Sequence, residues 1–257
     1  MTETVFHIPH SSVSIPDEFR DDFCLSDTEL SEEIRLMTDW HTSELFGGSV
    51  QALGKAVEFP VSRLLVDPER FPNDDEESMS KVGMGVLYTL TSHGEPLRHT
   101  NMAQGERRKR LIDEFYHPHH TKLQEITEQA LDKAGQALII DCHSFPSIPL
   151  PYEPEQDPER PDICLGTDQF HTPLWLLDKL RGAFEKQGYD VQVNKPFAGT
   201  LTPLRFYRSD KRVSSIMIEV NRSLYMDEST ALKSDQFEKV SQEISQALKT
   251  TLKVNDL

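Results

Sequence analysis

The sequence predicts an α/β fold, a mixed β-sheet flanked by helices on both faces, through three observations. First, short apolar segments that read as buried strands alternate with longer stretches whose apolar residues recur at helical spacing. Second, three of the strand-like segments end abruptly at reactive side chains. Val5 to Pro9 runs into His10-Ser11-Ser12, Ala137 to Ile140 into Asp141-Cys142-His143-Ser144, and Ser215 to Ile218 into Glu219-Val220-Asn221-Arg222. Open α/β sheets bind ligands beyond the carboxyl ends of their strands, so these three endings are expected to meet at one sheet edge. Third, 257 residues with 37% hydrophobic and 27% charged side chains supply one core under a solvated surface, and a single domain over residues 1–257 is expected.

The elements follow in order. Asp27 through Phe46 carries apolar residues at Leu30, Ile34, Met37, Leu45 and Phe46, which predicts at least one helix, with Gly47-Gly48 as its stop and Thr38-Asp39-Trp40-His41 inside it. Ala56 to Asp67 reads as one or two short strands punctuated by Pro60, followed by a polar loop from Pro68 to Asp75. Leu111, Ile112, Phe115, Leu123, Ile126, Ala130 and Leu131 set a long helix from Glu106 to Ala134, bent near Pro118, that crosses back to the Ile139 strand. Six prolines among acidic residues make 146–161 an irregular excursion or lid. Beyond it, Asp162 to Gly166 is expected as a strand, Pro173 to Lys186 as a helix, Asp190 to Val193 as a strand and Gln236 to Leu252 as a terminal helix.

Composition excludes several classes. A formal charge of -16 argues against nucleic acid, whose binding draws on clustered Lys and Arg; the run Arg107 to Arg110 reads as a solvated helix face. Three cysteines with no CxxC pair suggest neither a disulfide framework nor a cysteine zinc site, and point to a reducing compartment. The N-terminus lacks a signal-like pattern and no run approaches 18 apolar residues, so no membrane partner and a cytoplasmic location are expected. Oligomeric state is not legible.

The chemistry suggested by the strand ends is that of a metallohydrolase. A histidine directly after a buried strand holds its imidazole rigidly, which makes His143 and His10 candidate ligands, although buried histidines are also commonly satisfied by hydrogen bonds alone. Two histidines and one carboxylate form an established zinc set that leaves a water position open, and Asp39 is the candidate for the third ligand. HExxH is absent, and His117, His119 and His120 read as surface residues. Glu219 follows an apolar strand, where a carboxylate must be paired or used; it is a candidate general base, the bland alternative being a salt bridge to Arg222. Arg63, Arg70 and Arg222 could each hold a carboxylate by two parallel hydrogen bonds, Arg63 ranking first because it interrupts an apolar segment. The turn from Lys195 to Thr200 offers backbone at Gly199 and Thr200 that a substrate could approach closely.

With these residues placed, the sequence resembles the N-formylglutamate amidohydrolase family. The likeness rests on Ile8-Pro9-His10-Ser11, Thr38-Asp39-Trp40, Val61 to Asp67, Asp141-Cys142-His143-Ser144, Pro161 to Thr167 and Ile218 to Met226, in the family's order over about residues 5 to 228. It implies a fold related to the zinc carboxypeptidases, a divalent metal taken as zinc, and hydrolysis of N-formyl-L-glutamate, a small anionic substrate, to formate and L-glutamate in histidine degradation. His10 and His143 match positions expected to bind the metal and Glu219 the expected catalytic carboxylate. Two other readings stay open: hydrolysis of another N-acyl amino acid or short peptide, and a non-catalytic small-molecule binding protein on the same scaffold.

Overall fold

A computed structural model describes residues 3–253. Its centre is a six-stranded sheet whose order is set by long crossovers. Strand β1 (Glu3–Ile8) leads through α1 (Asp27–Met37), α2 (Thr42–Leu45) and α3 (Gly47–Leu53) to edge strand β2 (Gly54–Glu58). A long irregular stretch then reaches α4 (Gly105–Leu111), a π-helical turn (Ile112–Tyr116) and α5 (His117–Ala134), which delivers the chain to β3 (Ala137–Phe145). There follow β4 (Ile163–Gly166), α6 (Leu174–Lys186), β5 (Val191–Val193), β6 (Val213–Asn221), a small hairpin of β7 (Met226–Asp227) and β8 (Leu232–Lys233), and α7 (Phe237–Lys253). The order is β2-β1-β3-β6-β4-β5, with β2, β1, β3 and β6 parallel and β4 antiparallel to β6. This is the expected mixed α/β sheet between helices, and no helix among the described residues is long and apolar enough to cross a membrane.

Strand alternation decides where chemistry can sit. Even-numbered residues of the parallel strands, among them Phe6, Ile8, Leu138, Ile140, Cys142, Ile216, Ile218 and Val220, pack one face against α6 and α7 through Leu176, Leu180, Phe184, Val240, Ile244 and Leu248. Odd-numbered residues face the other way, where Val5, Ala137, Ile139 and Val213 pack against Leu123, Ala130 and Leu131 of α5. Continuing along that face toward the carboxyl ends, the odd positions become His7, Asp141, His143, Met217 and Glu219. In-register pairing sets His7 beside Asp141, and His143 beside Glu219. The polar residues therefore gather on the α5 face of the sheet at its carboxyl edge.

A separate apolar cluster lies beyond that edge, where Phe59, Val61, Leu64, Leu65, Val66, Val86 and Tyr88 pack with Phe19, Leu30 and Met37. Here three local expectations are corrected. Residues 61–67 are buried turns, not strand: Leu65 and Val66 donate back to the Ser62 carbonyl, and the carbonyls of Leu64 and Leu65 accept from Arg98, so no ladder is available to them. α2 ends at Leu45, next to Gly47-Gly48, but these glycines open α3, and the expected helix is already broken earlier, at His41 with φ of 63°. Thr38-Asp39-Trp40 is accordingly the link between α1 and α2 and not a helical segment. The long helix expected over 106–134 is interrupted by the π-helical turn just before Pro118, and 146–161 is irregular throughout. The three cysteines are free.

Candidate active site

Three elements bring the expected ligand set together. His10 follows β1 by two residues, His143 lies near the end of β3, and Asp39 sits in the link after α1, where its backbone N–H donates to the His10 carbonyl at 3.0 Å and ties the link to the strand end. The Nδ1 atoms of His10 and His143 lie 3.6 and 3.1 Å from Asp39 Oδ2. One ligand atom from each of the three falls within 4.8 Å of the others, and all three residues are buried. In the metal-free state Asp39 is held well below the usual carboxylate range: burial works against this, but the two imidazoles beside it outweigh it.

The surroundings test whether such a group fits a cation. His10 Nδ1 is buried and has no hydrogen-bond partner. His10 Nε2, on the opposite side of its ring, donates to Asp67 Oδ1 at 2.9 Å, and His143 Nε2 donates to Asp141 Oδ1 at 3.2 Å. A carboxylate behind each histidine fixes the tautomer that leaves Nδ1 as the bare lone pair, which is the arrangement metal-binding histidines require. Asp39 is oriented in the same way, its Oδ1 accepting from Arg222 Nη2 at 3.1 Å so that Oδ2 faces the two imidazoles. The residues thus fit a cation site of two histidines and one carboxylate with positions left open.

Both backing carboxylates are themselves anchored. Asp67 is wholly buried and accepts from His10, the Glu69 backbone at 2.9 Å, Arg63 Nη2 at 3.1 Å and the Tyr88 hydroxyl. Asp141 accepts from His7 Nδ1 at 2.8 Å and, on its other oxygen, from the Leu201 backbone at 2.8 Å. Behind His7 stands His119, with Nε2 to Nε2 at 2.9 Å, so a buried hydrogen-bonded series runs from α5 through β1 and β3 to the ligand group. His7, Glu69 and Asp141 could by composition hold a cation too, but both His7 nitrogens are engaged, and the cluster reads as the support behind His143. His119 is only 4% exposed, which corrects the expectation of a surface residue; burial pushes its pKa down to about 2. His120 is half-buried and donates to the Pro68 carbonyl, while His117 is exposed as expected.

Glu219 reaches the same cavity, and its Oε2 is buried without a partner. Burial, with help from the nearby Asp39 and Glu69 charges, raises its pKa to about 8 in the metal-free protein, against the opposing pull of His143 and Arg222. No ion pair joins it to Arg222 among the described residues; Arg222 spends its donors on Asp39, Ser144 and the Leu36 carbonyl. Arg63 is similarly committed, its Nε to Tyr88 and its Nη2 to Asp67, leaving Nη1 at 3.7 Å from Asp39. Arg70 differs: only its Nε is used, toward the Met84 carbonyl at 3.2 Å, and both terminal nitrogens make no hydrogen bond within the described residues.

These groups line a cavity of about 290 Å³. Its walls include Arg63, Arg70, Arg222, Phe145 and Phe197, and the 146–161 excursion contributes Leu150, Tyr152 and Pro154. That excursion is pinned by the buried Arg160–Glu153 pair, with the Arg160 guanidinium set over the rings of Phe145 and Phe197. Gly199 and Thr200 line a neighbouring cavity instead. Their loop approaches the sheet closely because Gly166 has no side chain: a Cβ there would lie 2.2 Å from the Gly199 carbonyl. Sequence patterning does not single out His7, Glu69, Tyr88, His119 or Tyr152. Of these, His119 carries a signal, since it stands four residues before Leu123 on the buried stripe of α5.

The comparisons agree with this geometry. The sequence profile of the N-formylglutamate amidohydrolase family matches residues 2–226. An N-formylglutamate deformylase of Pseudomonas putida is 29% identical over 228 residues, covering 86% of this chain and 80% of that protein. Among solved structures, an N-formylglutamate amidohydrolase from Ralstonia eutropha JMP134 superposes with a TM-score of 0.82 at 22% identity, over 98% of this chain and 92% of that one. A gene product from Agrobacterium tumefaciens gives 0.75 at 18% identity, over 100% of this chain and 92% of that one. With a profile match over most of its length and the fold shared end to end, the chain belongs to the N-formylglutamate amidohydrolase family.

Proposed function

We propose that this protein is a metal-dependent amidohydrolase that cleaves the formamide C–N bond of N-formyl-L-glutamate, giving formate and L-glutamate, in one domain that spans the chain. The observation that carries the reading is the buried His10, Asp39 and His143 group with the unpartnered Glu219 oxygen in the same cavity. The family and the Pseudomonas putida deformylase support the substrate, and a place in histidine degradation goes with it.

His10 Nδ1, His143 Nδ1 and Asp39 Oδ2 would hold the ion, and two nitrogens with one oxygen favour zinc. A divalent ion held there supplies Lewis acidity toward the formyl carbonyl and acidifies the attacking water. Glu219 Oε2 accepts the proton from that water as its oxygen bonds to the formyl carbon, and returns a proton to the glutamate nitrogen as the C–N bond breaks. Arg70, with two unused terminal nitrogens, grips a glutamate carboxylate in bidentate fashion, and Arg63 Nη1 stands on the same wall. The apolar side chains Leu150, Phe145 and Phe197 keep bulk water from the reacting centre.

The test is formate release from N-formyl-L-glutamate by purified protein, with metal content measured on the same sample. Formate release that chelation abolishes and zinc restores is expected. A protein that turns over at full rate after its metal has been stripped contradicts the reading.

A further inference from the structure

The cavity that holds the ligand group has a neighbour of about 350 Å³, and Glu69, Arg70, Ala198 and Met217 line both. The two spaces differ in character. Arg63, Arg222, Asp39 and Glu219 are confined to the first, whereas the second is walled chiefly by apolar and aromatic groups such as Phe71, Tyr116, Leu201, Leu204 and Tyr207. Its volume lies within the range of ordinary ligand pockets, yet a formyl group, with hydrogen as its only substituent, would leave all of it unused. The shared boundary has a charged half, Glu69 and Arg70, and an apolar half, Ala198 and Met217. Glu69 is held in place there, its Oε2 3.2 Å from His143 Nε2 and its Oε1 3.6 Å from His7 Nδ1, so the apolar half of the boundary is the passage open to an acyl chain.

Resting on the hydrolase reading above, we propose that the site also accepts N-acyl-glutamates with a neutral apolar or aromatic acyl group larger than formyl, the acyl chain passing over Ala198 and Met217 into the second cavity. The charged and uncharged ends of such a substrate then separate as the two cavities do, with glutamate against the arginines and the acyl chain among Leu201, Leu204 and Tyr207. The reaction is unchanged: water oxygen bonds to the acyl carbon, the C–N bond breaks, and nitrogen takes a proton, releasing the free carboxylic acid and glutamate. With Arg70 committed to the glutamate carboxylate, the carboxylates of Glu69 and Asp141 on the cavity wall disfavour an acyl group that ends in its own carboxylate.

The experiment compares kcat/KM for the N-formyl, N-hexanoyl, N-phenylacetyl and N-succinyl derivatives of L-glutamate on the zinc-loaded protein, with inhibition of formyl turnover by hexanoate and phenylacetate as a second readout. Hexanoyl or phenylacetyl turnover within about tenfold of formyl is expected, with succinyl at least tenfold poorer than either. Leu204 is 60% exposed, so Leu204→Trp should fold normally; it should lower turnover of the longer acyl groups, and inhibition by their acids, at least tenfold while formyl turnover stays within twofold. Formyl turnover without hexanoyl or phenylacetyl turnover overturns the proposal and leaves the parent reading standing, as does a Leu204→Trp effect equal on all substrates or a preference for succinyl. Turnover of none of the four overturns both.

Discussion

Asp67→Asn is the most informative single change, because its cost can be worked out atom by atom. The Asp67 carboxylate is fully buried and surrounded entirely by donors: His10 Nε2, the Glu69 backbone N–H, Arg63 Nη2 and the Tyr88 hydroxyl, with Arg70 Nε at 3.8 Å. An amide of the same shape keeps one acceptor and turns the other into a donor, so whichever way it is oriented one pair of neighbours meets N–H where it had oxygen. Arg63 also loses its nearest counter-charge. Removing one partner of a buried ion pair costs about 3–5 kcal/mol, and in a chain of this size each kcal/mol is worth roughly 2–4 °C, so the midpoint of thermal unfolding should fall by about 6–20 °C when measured in chelator. Because Asp67 also sets the His10 tautomer, zinc affinity by competitive titration should weaken roughly 10–100-fold. A variant that unfolds within about 2 °C of the parent and binds zinc equally well would show that the carboxylate neither stabilises the loop nor orients the ligand. The acid limb carries the same logic with a definite sign. Burial opposes ionisation of Asp67, but His10, Arg63 and Arg70 hold its pKa well below the ordinary range, so its contribution is present above about pH 4 and is lost as the pH falls below that.

Three further outcomes follow from the site. Glu219→Gln should lower kcat/KM about 10²–10⁴-fold; in metal-free protein it should be more stable than the parent near pH 8.5, by up to about 4–5 kcal/mol in urea unfolding. The sign follows from the pKa of about 8: between about pH 4.5 and 8 the folded state holds a proton that the unfolded state releases, so stability falls as pH rises, and the amide removes that slope. Arg70→Ala should raise KM for N-formylglutamate about 30–150-fold, the loss of roughly 2–3 kcal/mol of charge-assisted bonding, with a smaller change in kcat and only partial recovery in Arg70→Lys; an unchanged KM would move the carboxylate grip elsewhere. Burial lowers His120 to about 4, so below about pH 6.5 the unfolded chain gains a proton that the folded one refuses. His120→Gln should therefore lose about 2 kcal/mol less than the parent between about pH 7 and pH 5, and equal losses would disprove the assignment.

The parts of this molecule that can be read from its sequence are those governed by a short period. β3 and β6 are buried on both faces, so they carry the apolar runs Ala137 to Ile140 and Ile216 to Ile218, and the departures from them at Asp141 and Glu219 mark where the sheet's α5 face stops being core. The helices α5, α6 and α7 announce themselves by their apolar stripes for the same reason. Residues 59–104 have no such period. Their buried turns are fixed by partners distant in sequence, such as Arg98 on the Leu64 and Leu65 carbonyls and Glu33 on Ser92, and Val61 to Val66 therefore imitates a strand in composition without being one. The ranking of the arginines is illegible for a related reason. Which guanidinium keeps free nitrogens depends on what the fold has placed beside each one, and Arg63, prominent in sequence, is occupied by Tyr88 and Asp67.

Parallel alternation along β1, β3 and β6 also determines which kinds of genetic change the protein can absorb. Inserting or deleting a single residue between Ala137 and Asp141 would exchange inside for outside downstream, driving His143 into the apolar layer under α6 and α7 and turning Cys142 toward the catalytic space. Point replacements there cost one side chain, whereas a length change would dismantle the core and the cation group together. Length variation among descendants of this chain should accordingly concentrate in solvent-facing turns such as 72–76 and 155–159, where no register and no buried partner has to be kept.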